Sequence, residues 1–263
     1  MALDISQASD LFWTSWQQGM LIDEVASPLR PNTRAEGYAI QSLLEAHSAT
    51  RLAGWKIAAT SEAGQRHINV SGPLAGRILA ERMFSHGATV SLAGNRMRVA
   101  EPEFVFVVGK TIDPRSKPYE VSEIMSHVAD LRLGIEVPDS RFVSFTTVGE
   151  ALLIADNACA HEYVLGPVVT APWRDEDLSK RKVVATVNGP TRRYEREGIG
   201  ANVLSDPTVA LTWLVNELSA YELSLHAGQF VTTGTCMVPL EVQPGDAVSV
   251  DYGNFGKIHC QFS

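Results

Sequence analysis

At 263 residues, with 45% hydrophobic and 20% charged side chains, the chain is long and apolar enough to bury a substantial core. Its 22 basic residues against 30 acidic ones give a net charge of −8, which argues against a surface built for nucleic acid or anionic lipid. Cys159, Cys236 and Cys260 are odd in number and lack zinc-finger spacing, so they read as small core residues of a cytoplasmic protein. No signal peptide is expected, and no apolar run approaches the length needed to span a bilayer.

In chain order, apolar residues at helical spacing predict a helix over 8–20, ending near Gly19. A second helix is expected over 33–52, with Ala35, Tyr38, Ala39, Leu43, Leu44 and His47 mostly on one side. Residues 54–58 form a short apolar strand, and the Gly- and Ser-rich stretch to Gly76 reads as a lid-like loop. Strands then dominate: 89–92, 98–108, 131–137, 163–169, 182–187 and a C-terminal set between 230 and 262. Helices interrupt them over 122–129 and 207–221, the second opened by Asp206 or Ser205 as cap, with Pro207 at the first helical position. The organisation expected is a helical N-terminal segment with its loop over 1–75, ahead of a mixed-sheet catalytic domain over 76–263, an α+β fold.

Three acids inside these strands carry the chemistry. Glu101 and Glu103 lie two apart in the run 99–109, so they share a strand face, and Glu136 lies between Ile135 and Val137 in a second apolar strand. Glu101-Pro102-Glu103 would also suit a solvated edge strand, where proline is tolerated. The apolar run that follows, from Phe104 to Val108, favours a core strand instead. Three buried carboxylates in one place repel one another unless something positive lies between them, and an all-oxygen ligand set suits Mg²⁺ or Mn²⁺.

With these residues identified, the chain resembles the 2-keto-4-pentenoate hydratase family and the related 4-oxalocrotonate decarboxylases of the fumarylacetoacetate hydrolase superfamily. The resemblance runs from about Trp13 to the C-terminus. It is carried in order by the block from Gly54 to Ser61, by Ala100 to Phe104, by Gly134-Ile135-Glu136 with Asp139-Ser140-Arg141, by Ile154 to Asn157, by Gly234-Thr235 and by Asp251-Tyr252-Gly253. It implies Mg²⁺ or Mn²⁺ held at Glu101, Glu103 and Glu136, an active-site lysine at Lys56, and mixed sheets rolled into an irregular barrel or sandwich. It further implies a homo-oligomer, possibly one that associates with a related decarboxylase or hydratase. The substrate would be a short 2-hydroxy-2,4-dienoate from meta-cleavage of aromatic compounds. The chain departs from the family at Ser71, where many hydratases carry aspartate in a Gly-Val-Asp-x-Pro block, and at Thr235, where many have serine.

The implied reaction is ketonisation with protonation at C5, then addition of water at C4, giving a 4-hydroxy-2-oxo acid. Lys56, between Trp55 and Ile57, is the candidate proton carrier or, alternatively, an ion-pair partner for one glutamate. Ser71 is a second catalytic candidate. Thr60, Asn157 and Thr235 are candidates for orienting the substrate carboxylate or water, and each also suits a plain turn role. Asp156 reads as a supporting acid or a turn residue, and Arg141 as a fold-stabilising bridge to Asp139 or another acid, or else as a ligand for a distal carboxylate. His161 and Glu162 are neighbours on a strand and point to opposite faces, so they are not read as a dyad. A decarboxylase would share the acids and the lysine but would need an extra cation for a second carboxylate. A C–C bond hydrolase would need a His–Glu pair on the lid, where His67 has only Glu62 nearby. A non-catalytic partner subunit would not need all four charged residues.

Overall fold

The computed structural model describes residues 2–263. Helix α1 (Ile5–Gln18) is capped by Asp4, whose carboxylate accepts from Gln7 N at 3.0 Å, and it ends at Gly19 with φ of 63°. Thr33 and Glu36 form a capping box ahead of α2 (Arg34–Ser42), which is followed by the single turn α3 (Leu44–His47). The helix expected over 33–52 stops there. Ser48 Oγ donates to Glu81 at 2.6 Å and accepts from Thr50 N at 3.0 Å, so local hydroxyls divert the backbone before β1 (Leu52–Ala58) opens.

The stretch expected as a lid loop contains α4 (Glu62–His67) and the start of β2 (Leu74–Leu79). The strands β3 (Met83–Ser85), β4 (Thr89–Val90) and β5 (Val99–Val108) follow. Helix α5 (Val121–Met125) is shorter than the span 122–129, because Val128 already pairs with Val108 as part of β6 (Val128–Val137). Next come α6 (Glu150–Ala155), β7 (Glu162–Val168), β8 (Lys182–Asn188) and β9 (Arg193–Ile199). Asp206 caps α7 (Pro207–Ala220), accepting from Thr208 N at 2.7 Å, while Ser205 plays no capping part. The chain closes with β10 (Phe230–Thr235), β11 (Leu240–Glu241), β12 (Ala247–Asp251) and β13 (Lys257–Phe262). No described helix is long and apolar enough to cross a membrane.

Two mixed sheets form the body of this α+β fold. The larger runs β2-β1-β10-β5-β6-β7-β3, with β11 added to β5; the smaller runs β4-β13-β12-β8-β9. The expected division after residue 75 falls inside β2, and β1 lies between β2 and β10 in the large sheet. One face of that sheet sends Trp55, Phe104, Phe106 and Leu133 into the main core against Val183, Val248, Val250 and Ile258 of the small sheet. Full burial of each large apolar side chain contributes about 1.5–3 kcal/mol, so this layer anchors the strands from behind.

Strand pairing then puts the polar residues on the opposite face. Lys56 pairs with Thr232, Thr232 with Val105, and Glu101 with Glu136, so Lys56, Thr232, Glu101, Glu103 and Glu136 share one side. In a flat sheet β1 and β6 would lie about 14 Å apart, three strand spacings. Lys56 nevertheless reaches Glu136, so the sheet curls around this face into a half-barrel.

Curling leaves little room at Gly134, which sits opposite Glu103. A Cβ there would lie 1.7 Å from the Tyr163 hydroxyl and 2.8 Å from Val105. Gly134→Ala is therefore expected to cost about 1–3 kcal/mol or more, read as a lowered urea midpoint at unchanged m-value. An unchanged midpoint would show that Tyr163 moves aside without cost.

Candidate active site

The three carboxylates predicted from sequence converge. Oxygens of Glu101, Glu103 and Glu136 all lie within 4.8 Å of one another. Glu103 and Glu136 are buried and Glu101 is half-buried. Glu103 Oε1 and Glu136 Oε2 are buried without any hydrogen-bond partner. A buried carboxylate oxygen left unpaired is costly, and two of them facing a third acid fit the donor set of a hard divalent cation.

Among the described residues, Lys56 supplies the neighbouring positive charge. It is buried, with Nζ 3.0 Å from Glu136 Oε1 and donating to Ala158 O at 2.9 Å. Burial alone would lower its pKa, but the carboxylates of Glu136 and Glu101 prevail and hold it above the ordinary lysine value. The acids are raised too, which for them favours the neutral form. Burial and the charge of Glu136 push Glu101 up to about 7 and Glu103 well above the usual carboxylate range. Burial likewise raises Glu136, against the pull of Lys56. Three anions and one ammonium leave two negative charges uncompensated, which one divalent ion would neutralise.

Glu103 is the most firmly placed of the three. Its Oε2 accepts from Thr232 Oγ1 and from Gly234 N at 2.9 Å, and Tyr163 OH donates to Thr232 Oγ1 at 2.8 Å. This chain fixes Oε2 and leaves Oε1 free for an ion. Gly234 takes φ of 93°, and a Cβ there would meet Thr60 Oγ1 at 2.3 Å, so the close approach of its N–H to Glu103 requires glycine. Gly234 was legible as part of the block with Thr235. Thr232 and Tyr163 were not, because neither belongs to a local pattern.

The remaining candidates separate by position. A cavity of about 1140 Å³ opens above the acids, and Lys56, Thr60, Glu101 and Thr235 line it, with α4 along one wall. Thr235 Oγ1 also donates to Met237 O at 2.9 Å. Asn157 is not on this wall. Its Oδ1 accepts from Arg77 N at 2.7 Å and its Nδ2 donates to Arg77 O at 2.9 Å, so both ends of the amide serve the backbone rather than a substrate. It opens a run of three left-handed residues, Asn157, Ala158 and Cys159, with φ of 53°, 50° and 61°. That run aims the Ala158 carbonyl at Lys56, a placement of backbone strain typical of functional sites.

Ser71 is exposed and off the wall, with Oγ 3.2 Å from Glu150 Oε1, so in this conformation it has no path to a ligand above the acids. Arg141 pairs with the buried Asp156 rather than with Asp139, and both support the turn that carries Ala158. His161 lies just before β7, so strand alternation does not part it from Glu162: its Nε2 is 3.8 Å from Glu162 Oε1, while its Nδ1 accepts from Trp16 Nε1 at 2.8 Å, away from the three clustered acids. His67 meets Phe145 edge-on, and Glu62 pairs with Arg66 at 3.4 Å, so the lid offers no His–Glu couple.

The family and the fold of this chain recur among known proteins. The fumarylacetoacetate (FAA) hydrolase C-terminal family matches residues 73–263. A 2-oxo-hept-4-ene-1,7-dioate hydratase from Escherichia coli is 29% identical over 241 residues, covering 88% of this chain and 87% of the relative. A 2-keto-4-pentenoate hydratase from Paraburkholderia xenovorans is 26% identical over 97% of this chain and 94% of its own length. In fold, the chain matches 4-oxalocrotonate decarboxylase from Pseudomonas putida G7, solved with magnesium and adipate. The TM-score is 0.86 at 22% identity, covering 98% of this chain and 97% of that one.

The raised carboxylates fix the sign of a pH effect. Glu101 rises from 4.5 to about 7, so between those values the folded protein keeps a proton that the unfolded chain releases. Its contribution to stability therefore falls as pH rises through that window, and a divalent ion, displacing protons, stabilises more as pH rises. The increase in Tm on adding saturating MgCl₂ should be larger near about pH 8 than near about pH 5.5. Glu103→Gln should raise the Tm of the metal-free protein at the higher pH and abolish the MgCl₂ increment. Thr232→Val should weaken Mg²⁺ binding by roughly 10–100-fold. An increment that is equal at both pH values and survives Glu103→Gln would remove the acids from ion binding.

Proposed function

The chain belongs to the fumarylacetoacetate hydrolase family, and from that premise we propose that it is a divalent-metal-dependent hydratase, a carbon–oxygen lyase. In this reading it adds water to a short 2-hydroxy-2,4-dienoate of the 2-keto-4-pentenoate type. The product is a 4-hydroxy-2-oxo acid, a step in the catabolism of aromatic compounds after meta-cleavage. The observation that carries the reading is the pair of unpartnered oxygens on Glu103 and Glu136, placed with Glu101 beside a buried lysine at the floor of a large cavity. Glu101, Glu103 and Glu136 would hold Mg²⁺ or Mn²⁺. Once bound, such an ion supplies Lewis-acid stabilisation to negative charge developing on the oxygens of a 2-oxo acid.

The chain's own groups account for the remaining tasks. Lys56 Nζ has three N–H donors, of which Glu136 and Ala158 O take two. The third is available to deliver a proton to the dienoate carbon chain. Thr60 and Thr235 present hydroxyls on the cavity wall, suited to orienting the substrate carboxylate or the attacking water. The protein would work in the reducing cytoplasm, in keeping with three buried free thiols, and as a homo-oligomer that can include a related decarboxylase or hydratase.

A 4-oxalocrotonate-type decarboxylase is the second reading. It is favoured by the likeness in fold and by a 4-oxalocrotonate decarboxylase from Pseudomonas sp that is 28% identical over 231 residues. The same acids and lysine serve both reactions, so products decide between them. Metal-loaded protein supplied with 2-hydroxypenta-2,4-dienoate should consume its absorbance and yield the 4-hydroxy-2-oxo acid. Carbon dioxide released from 4-oxalocrotonate alone would establish the decarboxylase instead. Lys56→Met should lower kcat by about 10²–10⁴-fold with Mg²⁺ binding retained. Full activity in that variant would refute the proton-carrier role.

A further inference from the structure

The cavity above the acids has two unlike halves. Its floor is polar, with Lys56, Glu101, Thr60 and Thr235. Alongside polar residues such as Gln65 and Asn202, the outer part is walled by Ile68, Met97, Phe145, Leu204, Met237 and Val238. These come from the end of α4, the approach to β5, the loop before α6, the turn before α7 and the segment after β10. At about 1140 Å³ the whole space exceeds the roughly 300–1,000 Å³ typical of sites for drug-sized ligands. A five-carbon acid chelated at the floor would leave the apolar half unfilled.

Basic groups are scarce in that outer half. Among the described residues on the wall, only Arg96 and His67 accompany Lys56. Arg96 turns its guanidinium to the 140–142 loop, where Nη2 donates to Ser140 O and to Phe142 O at 2.9 Å. His67 lies edge-on to Phe145, with ring centroids 6.1 Å apart. Glu62, also on the lining, is paired with Arg66 at 3.4 Å. A carboxylate entering this half would lose water and meet only Arg96, whose Nη2 already serves two carbonyls, and His67.

Leu204 is held against the wall with some force. It adopts φ of 43°, a left-handed conformation that bulky side chains avoid, and its N–H donates to Thr60 O at 2.9 Å. The hydrogen bond ties an apolar side chain of the outer half to a hydroxyl residue of the floor.

We propose that the substrate is a 2-hydroxy-dienoate carrying an apolar alkyl or aryl tail beyond C5, received by Phe145, Leu204 and Met97, rather than a dicarboxylate. The inference rests on the reading of the floor as a 2-oxo acid site. Its test uses binding, so that it does not depend on turnover.

Isothermal titration of the full-length protein with saturating Mg²⁺ should compare three non-reactive probes: 2-oxopentanoate, 2-oxooctanoate and 2-oxoheptanedioate. 2-Oxooctanoate should bind at least about tenfold more tightly than either of the others, since each buried methylene contributes about fourfold. Phe145→Ala should reduce that advantage to a few-fold while leaving 2-oxopentanoate affinity in place. An unchanged ratio in this variant would show that the tail lies elsewhere and overturn the assignment. Equal or tighter binding of the dicarboxylate would overturn it too, and more directly if Arg96→Gln then weakened the dicarboxylate alone. The expected binding order with no dienoate consumed would sink the hydratase reading and leave this inference standing.

Discussion

The buried meeting of three carboxylates with one lysine is the constraint around which the large sheet is arranged. Such a cluster is expensive in an apolar setting, and a single Lys56–Glu136 pair does not cancel it. The protein holds the acids together by making the alternative worse. Phe104, Phe106, Leu133 and Ile135 occupy the other face of the same strands and are fully buried. Moving a glutamate out by a one-residue slip would turn those side chains toward the polar cavity. The hydrophobic core thus supports the polar site through strand alternation, with no direct contact needed.

The way each acid is held differs, and the differences have chemical meaning. Glu136 is tied to Lys56, and Glu101 is the half-buried member that lines the cavity. Glu103 is locked from behind by Thr232, Tyr163 and Gly234. Gly134 belongs to the same device, since its missing side chain makes the space that the Tyr163 hydroxyl fills. A tyrosine on β7 and a glycine on β6 therefore act together to orient a carboxylate on β5. On the lysine side, a strained left-handed turn does the equivalent task. Asn157 clamps the backbone of Arg77, the Arg141–Asp156 pair supports the turn, and the Ala158 carbonyl receives the ammonium. Both halves use buried polar groups as fixtures, and the hydrogen bonds that satisfy them also remove the freedom to drift.

How much of this was legible in the sequence follows from the range of the interactions. The acids were legible because a charge inside an apolar strand is a local contradiction that needs an explanation, and because a two-residue spacing fixes a shared face. Lys56 was legible for the same reason. Long strands and α7 showed themselves through periodicity and the Asp206-Pro207 start. Other elements did not, α4 and β3 among them. β9 alternates charged residues on an exposed edge, so it carries no apolar stripe to read. β2 is buried throughout but sits directly after a Gly- and Ser-rich stretch. α6 is a six-residue helix that gains its stability from α2, where Gly37 lets Ala151 O approach to 2.6 Å of the Cβ position. The end of the second helix was missed because Ser48 and Thr50 are directed by Glu81, more than thirty residues away.

The same distinction explains why the site's floor and its outer wall differ in legibility. Floor residues sit on β1, β5, β6 and β10, where register fixes direction, so sequence spacing translates into geometry. Thr60 lies just past β1 and keeps that benefit. Asn157 does not, because it opens a turn of three left-handed residues whose course no spacing rule supplies. The outer wall is assembled from loops and element ends in five separate parts of the chain, each too short to show a pattern of its own. A fold that fixes a cluster of acids on paired strands and leaves the far wall to loops can keep that cluster while changing what surrounds it. In this chain those loops place Leu204, Phe145 and Met97 on the far wall beside Arg96.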